Sequence, residues 1–205
     1  MRILVLCEYA SLNGGERSLL EVTRRLARRD FLVTIAAPTN GPLVNTLRRC
    51  SLEHVPFDLL ADPAVRQPRA QLRQHVARLI SHVAPTLVHA NSLSMSRLLG
   101  PVARELAIPS IGHLRDIIRV SKASIVDLNE HRCLLAVSAV ARDWFVAAGL
   151  ASARTLVEYN GVDLHRFAPH RAQKFLHRQL RIPDDAPLVA SAGQIGMRKG
   201  MDVFV

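Results

Sequence analysis

Met1-Arg2-Ile3-Leu4-Val5-Leu6-Cys7-Glu8-Tyr9-Ala10-Ser11-Leu12-Asn13-Gly14-Gly15-Glu16 is the stretch that decides the fold. Ile3–Cys7 is an unbroken apolar run, as a strand buried on both faces requires. A short polar loop follows, and Gly14-Gly15 opens a helix that runs to Arg29. Leu19, Leu20, Val22 and Leu26 would form its apolar side, with Arg24, Arg25, Arg28 and Arg29 facing out. Strand, loop and helix together are the first half of a βα unit.

The same alternation repeats along the chain. Strands are expected at Phe31–Ala37, Leu52–Phe57, Leu87–Ala90, Ser110–His113, Cys133–Val137 and Thr155–Tyr159. Helices are expected at Ala70–Val83, Met95–Leu106, Lys122–His131, after Ser138, and at Gln173–Leu180. In Ala70–Val83, Leu72, Val76, Leu79, Ile80 and Val83 fall on one stripe. Pro38-Thr39-Asn40-Gly41-Pro42 breaks the pattern, and the polar, proline-containing 62–69 reads as loop. Regular alternation with hydrophobic strands predicts an α/β fold, a Rossmann-like doubly wound parallel sheet with helices on both faces.

A second unit is expected to begin late in the chain. Proline and charge cluster between Phe167 and Pro187, and Leu188–Ala192 reads as a new strand. Gly193-Gln194-Ile195-Gly196 then forms a glycine turn, and Arg198-Lys199 opens another helix that stops at Val205. The expected division is therefore a first domain over 1–168, a linker over 169–186 and the truncated start of a second domain over 187–205. So short a helix is not self-supporting, because nucleation is costly and stability comes from packing.

Composition narrows the function classes. Hydrophobic residues make up 49% of the chain, enough for a real core, while aromatics are only 4%, too few for stacking surfaces on single-stranded nucleic acid. No helix-turn-helix or zinc-finger pattern is present, so nucleic acid is not expected as a partner. No apolar run approaches the roughly 18 residues of a membrane span. The opening apolar run is too short for a signal peptide, and Glu8 interrupts it. Cys7, Cys50 and Cys133 lack metal-ligand spacing and read as reduced thiols, which suits a cytoplasmic location. The net charge of +10 is carried almost wholly by arginine, since Lys122, Lys174 and Lys199 are the only lysines. A solvated surface accounts for it, and so would attraction to anionic lipid or to phosphorylated substrates.

In a doubly wound sheet, ligands bind outside the carboxyl ends of the strands. The loop after the first strand has neither G-x-G-x-x-G nor a P-loop. Gly14 and Gly15 nevertheless stand at a helix start, where bare N–H groups can hold phosphate; a tight turn with positive φ is the alternative. His89-Ala90-Asn91-Ser92 and His113-Leu114-Arg115-Asp116 end two further strands. A strand-end histidine alone is ordinarily structural. His113 has Arg115 and Asp116 beside it, a trio that can orient and charge-compensate a site. Ser138 reads as a helix cap whose hydroxyl faces the same rim. Asn160-Gly161-Val162-Asp163 is a good turn with or without a ligand.

Taken together, these segments resemble the retaining GT-B glycosyltransferases of glycosyltransferase family 4. The resemblance rests on Gly14-Gly15-Glu16-Arg17, His89-Ala90-Asn91-Ser92, His113-Leu114-Arg115-Asp116, Val137-Ser138, Tyr159-Asn160-Gly161-Val162-Asp163 with Phe167 and Pro169, and Gly193-Gln194-Ile195 through Arg198-Lys199-Gly200. It implies two Rossmann-like domains, the first for the acceptor and the second for a nucleotide-sugar donor, with no cofactor or metal. It implies that Gly14, Gly15, Lys199 and Arg198 meet the donor diphosphate and that His113 hydrogen-bonds the transferred sugar. It places Glu16, His89, Asn91, Arg115, Asp116, Ser138 and Asn160 around the cleft. The acceptor would be a sugar, a glycan or a lipid-linked molecule, reached at the inner face of the membrane. Two departures stand out: Gln194 occupies a position where the family often has arginine, and the family's downstream glutamate pair is not in this sequence. The chain is therefore expected to be inactive by itself. A competing reading is a non-catalytic module that lies on anionic lipid through Arg17–Arg29 and Arg66–Val83. A nicotinamide-dependent oxidoreductase is disfavoured by the lack of a glycine fingerprint after Cys7.

Overall fold

The structure, a computed structural model, describes residues 1–62, 65–171, 173–193 and 200–204. It divides into two compact units, Met1–Val162 and Asp163–Val205.

The first unit runs β1 (Arg2–Leu6), α1 (Gly14–Ala27), β2 (Leu32–Ala37), α2 (Pro42–Arg49), β3 (Glu53–Pro56), β4 (Leu60–Asp62), β5 (Val65–Arg66), α3 (Arg69–Val83), β6 (Leu87–Ala90), α4 (Leu93–Glu105), β7 (Ser110–Leu114), α5 (Lys122–Asn129), β8 (Cys133–Ala136), α6 (Ala139–Ala147) and β9 (Thr155–Val157). Seven strands form one sheet in the order β3-β2-β1-β6-β7-β8-β9, and every neighbouring pair is parallel. The chain builds outward from β1 to β3, then returns to place β6 on the other side of β1. That reversal makes a crevice at the carboxyl ends of β1 and β6.

Alternation along the strands sorts the core into two faces. Ile3, Val5 and Cys7 join Val33, Ile35, Leu19, Leu20, Leu43 and Leu47 on the α1/α2 side. Leu4, Leu6, Val88 and Ala90 pack with Leu72, Val76, Leu79, Met95 and Leu99 on the α3/α4 side. The expected α3 stripe is buried along its whole length. α1 differs from expectation. Glu16, Leu19, Leu20 and Thr23 are its buried residues, while Val22 is 51% exposed. A stripe at i, i+3, i+4, i+7 from Glu16 leaves Val22 to one side, whatever its hydrophobicity.

Three other expectations are corrected. Pro38–Pro42 does not simply break the pattern; it leads into α2, with Pro42 at its start, where the missing N–H costs nothing. Gly41 precedes it at φ 135°, and a Cβ there would lie 2.6 Å from the Ala10 Cβ, so glycine is required on both counts. The region read as loop, 62–69, holds β5 and the last residue of its antiparallel partner β4. Leu188–Ala192 forms no strand, and Val189 is 82% exposed. A strand exists through its partner's hydrogen bonds, and the second unit has none among the described residues. That unit contains α7 (Phe175–Leu180) and α8 (Met201–Phe204). It is tied locally by His177 Nε2 against the Ala186 carbonyl at 2.9 Å and by Lys174 donating to the Asp184 carbonyl.

Helix α4 carries two residues that set its surroundings. Pro101 lies inside it and has no N–H to give the Arg97 carbonyl; Arg69 Nη2 donates to that carbonyl at 3.1 Å instead. Gly100 lets α5 approach so closely that a Cβ would lie 2.1 Å from the Asp127 carbonyl oxygen.

Candidate functional site

Strand register builds the centre of the site. His89 on β6 pairs with Ile111 on β7, and His113 lies two residues further along, on the same face as Ile111. The two histidines are thus diagonal neighbours, and their rings stack at 5.5 Å with 29° between planes. His89 also pairs with Val5, which puts the histidine pair on the α1/α2 side of the sheet, beneath the start of α1.

Arg115 ties this cluster together. Its Nη2 donates to Asn91 Oδ1 at 2.7 Å and to His113 Nδ1 at 3.3 Å, and its Nε donates to the Asn91 carbonyl at 3.0 Å. Its Nη1 reaches Asn160 Oδ1 at 3.3 Å, which also accepts from Ser18 Oγ at 2.9 Å. Asn91 Nδ2 donates to the Gly15 carbonyl at 3.4 Å. A Cβ on Gly15 would meet the Arg115 side chain at 3.3 Å, whereas one on Gly14 would meet nothing within 4 Å. Neither glycine has positive φ, so the tight-turn alternative is overturned. Both lie in the first turn of α1, where N–H groups have no helical acceptor.

Both imidazoles are held neutral. Burial is the larger cause and the Arg115 charge the next: His113 is pushed down to about 3 and His89 to about 4. Because Arg115 is a donor only, the His113 Nδ1 facing it must accept, which leaves the proton on Nε2. That atom is buried and has no partner in the protein, and the same holds for His89 Nε2. His113 therefore carries a neutral N–H donor that no group of the protein satisfies. It cannot serve as a charged acid near neutral pH. Its backbone is fixed from below. Ser96 Oγ accepts from the His113 N–H at 3.0 Å and donates to the Ser92 carbonyl at 2.8 Å, while His131 bridges Ser110 Oγ and the Ser96 carbonyl.

The remaining expected residues spread out. Glu16 is buried, accepts the Asn13 N–H at 3.1 Å, and its charge supports Arg115 against the effect of burial. Asp116 is exposed and acts on Arg115 through its charge. Ser138 is the N-cap of α6, its hydroxyl accepting from the Ala141 N–H at 3.1 Å. Gln194, Arg198 and Lys199 lie outside the described residues. Glu8 joins the site without having been expected there. It accepts from Ser92 Oγ at 2.9 Å and pairs with Arg66 at 3.6 Å. Its position directly after β1 is the signal in the sequence that could have found it. Among the described residues no helix is long and apolar enough to cross a membrane.

A parallel sheet with its crevice at the first switch point, ringed by strand-end polar groups, defines a Rossmann-like α/β domain of the GT-B kind. The sequence narrows the class: the family model Glycosyltransferase Family 4 matches residues 12–166, and the chain belongs to that family. No curated protein matches it. Among solved structures it is similar to HepE of Anabaena in complex with UDP, at 19% identity and TM-score 0.69 over 88% of this chain and 50% of that one. A glycosyltransferase from Rickettsia africae matches at 18% identity and TM-score 0.70, over 91% and 51%. UDP-GlcNAc 2-epimerase from Neisseria meningitidis matches at 12% and TM-score 0.56, over 77% and 45%. At these identities the likeness shows the fold. The chain spans about half the length of these proteins.

Proposed function

We propose that this chain is the acceptor-side half of a retaining glycosyltransferase, which transfers a hexose or similar sugar from a nucleotide-sugar to a sugar, glycan or lipid-linked acceptor. The observation that carries the reading is the neutral, partnerless Nε2–H of His113 at the switch-point crevice. A neutral donor suits a sugar hydroxyl, and a pre-oriented one costs no reorganisation when the reaction occurs. HepE was solved with UDP and with UDP-glucose, which supports a nucleotide-sugar as donor here.

In this reading the donor diphosphate lies over the start of α1, in the open space above Gly14, where helix N–H groups and dipole favour negative charge. Arg198 and Lys199 supply the cations that stabilise the departing diphosphate as charge develops on it. The bond from the anomeric carbon to the phosphate oxygen breaks and the bond to the acceptor oxygen forms on the same face. The acceptor's proton leaves with the phosphate. We assign the reaction no metal or cofactor, and we place the protein in the cytoplasm, meeting lipid-linked acceptors at the inner membrane face.

That contact would be electrostatic. The apolar stripe of α3 is spent on the core, and what α1 offers outward is Val22 among Arg25, Arg28 and Arg29. Binding to anionic vesicles should therefore vanish in high salt; salt-resistant binding would revive the lipid-inserting module. The direct test of the main reading is calorimetric titration with UDP and UDP-glucose of this chain joined to a complete donor-binding domain. We expect saturable binding of both, with His113→Ala losing the extra affinity contributed by glucose while keeping that of UDP. We also expect no turnover from the 205-residue chain alone, so measurable sugar transfer by it would refute its assignment as an incomplete half.

A further inference from the structure

On the opposite face of the sheet, the first turns of α3 and α4 enclose a second cavity at the same rim, of about 190 Å³. Arg66, Gln67, Arg69, Ser94 and Arg97 supply its polar lining. Arg66 Nη2 donates to Ser94 Oγ at 2.7 Å. Arg69 and Arg73 both bind the Asp127 carboxylate, Arg73 at 2.8 Å, and Arg66 pairs with Glu8. Arg97 takes part in none of these ion pairs, and its Nε is buried without a partner.

The charge does not balance. Four guanidinium groups, Arg66, Arg69, Arg73 and Arg97, surround two carboxylates, Asp127 and Glu8, which leaves an excess of two positive charges. Guanidinium cannot shed its proton to relieve this. Neither helix has an acidic residue in its first turn, and α3 begins at Pro68 without a side-chain cap. Both helix starts thus add partial positive charge to the same space. A pocket that gathers uncompensated arginines and a serine hydroxyl beside two helix starts is complementary to a tetrahedral anion with several acceptor oxygens. Glu8 joins it to the histidine crevice, through Arg66 on one side and Ser92 on the other.

We propose that this pocket binds a phosphoryl group carried by the acceptor; that the carrier is an acceptor rests on the glycosyltransferase reading, whereas the phosphoryl site does not. Arg97 is its free recognition element, Arg66 and Ser94 complete the contact, and Arg69 and Arg73 are committed to Asp127. The phosphate can belong to a soluble phosphosugar or to a lipid-linked acceptor.

The test is calorimetric titration of the protein with inorganic phosphate at fixed ionic strength, with and without saturating UDP. We expect saturable binding that UDP does not displace. Arg97→Gln and Arg66→Gln should each weaken it about tenfold or more, as loss of a charged hydrogen bond does. Arg97→Lys should restore part of it, and the outward-facing control Arg28→Gln should leave it unchanged. Unchanged melting temperatures without phosphate would separate lost binding from lost folding. Phosphate that UDP displaces, or that ignores Arg97 and Arg66, would overturn the proposal while leaving the donor reading intact. Phosphate binding that depends on Arg97 in a protein that never binds UDP would uphold the pocket and sink the donor reading. Vesicles of phosphatidylcholine carrying phosphatidic acid decide the source. Capture weakened by Arg97→Gln marks a lipid-linked phosphate, and capture indifferent to it marks a soluble one.

Discussion

The two faces of the sheet reach the same rim with opposite chemistry. On the α1 side, burial beside Arg115 strips the charge from His89 and His113. On the α3/α4 side, Arg97 is also pushed down by burial and by neighbouring arginines, yet it stays charged because its ordinary value lies so high. One physical situation, a basic group buried near a cation, yields neutral donors in the first place and persistent charge in the second. Support differs as well. His113 hangs from backbone fixed through Ser96 and His131, whereas the arginine pocket is held by side-chain ion pairs to Asp127. Loss of Ser96 or His131 should therefore register in stability, whereas loss of Arg97 or Arg66 should register in phosphate binding.

The severest break is Gly100→Ala. A methyl group 2.1 Å from the Asp127 carbonyl must push α5 away, and Asp127 moves with it, so both faces lose their support at once. We expect a loss of about 3 kcal/mol, read from urea unfolding; a near-neutral result would mean that α4 and α5 are not so closely packed. Asp127→Asn comes next. It leaves Arg69 and Arg73 facing each other without a counter-charge, and we expect about 1–2 kcal/mol of destabilisation, discounted because both arginines are partly exposed. Added phosphate should recover part of that loss if the pocket binds anions.

The histidine face can be tested by pH. His113 and His89 titrate below their ordinary value, so in acid the unfolded chain takes up protons that the folded one refuses. Their contribution is fully present above the ordinary histidine value and is lost as pH falls from about 6.5 towards about 4 for His89 and about 3 for His113. The slope is about 1.4 kcal/mol per pH unit for each proton taken up. His131, buried and also pushed down, contributes in the same direction. His113→Gln should flatten the curve, and Arg115→Gln should raise the His113 value in an NMR titration. An unchanged value would mean that the contact between Arg115 and the ring is not formed.

These features are not equally legible in the sequence. Long periodic segments are: the α3 stripe of Leu72, Val76, Leu79, Ile80 and Val83 is buried as its spacing dictates. The strand-end rule gathers His89, Asn91, His113 and Arg115 at one rim, and they do meet there. The stacking itself is not legible, because it depends on the β6–β7 register, which is set by tertiary packing rather than by either strand. Helix α2 is hidden because eight residues starting at a proline resemble a turn. The arginine pocket is hidden for a different reason. Arg69 and Asp127 stand 58 residues apart, and nothing local to either marks their meeting. A charge of +10 spread over arginines shows an excess of cations without showing where they converge.

The subtlest test bears on Gly14. A Cβ there meets nothing within 4 Å, and its φ lies outside the positive range that favours glycine. Gly14→Ala should therefore fold as well as the parent or gain about 0.4–1 kcal/mol, since alanine loses less freedom on folding. If the donor diphosphate occupies that open space, the same methyl group should weaken UDP binding severalfold while leaving phosphate binding at Arg97 untouched. Stability and affinity would then move in opposite directions at a single residue. A structural glycine cannot produce that signature, because its replacement lowers both. If UDP binding is unaffected, the space above Gly14 is plain solvent, and the donor must lie elsewhere along the crevice, closer to His113.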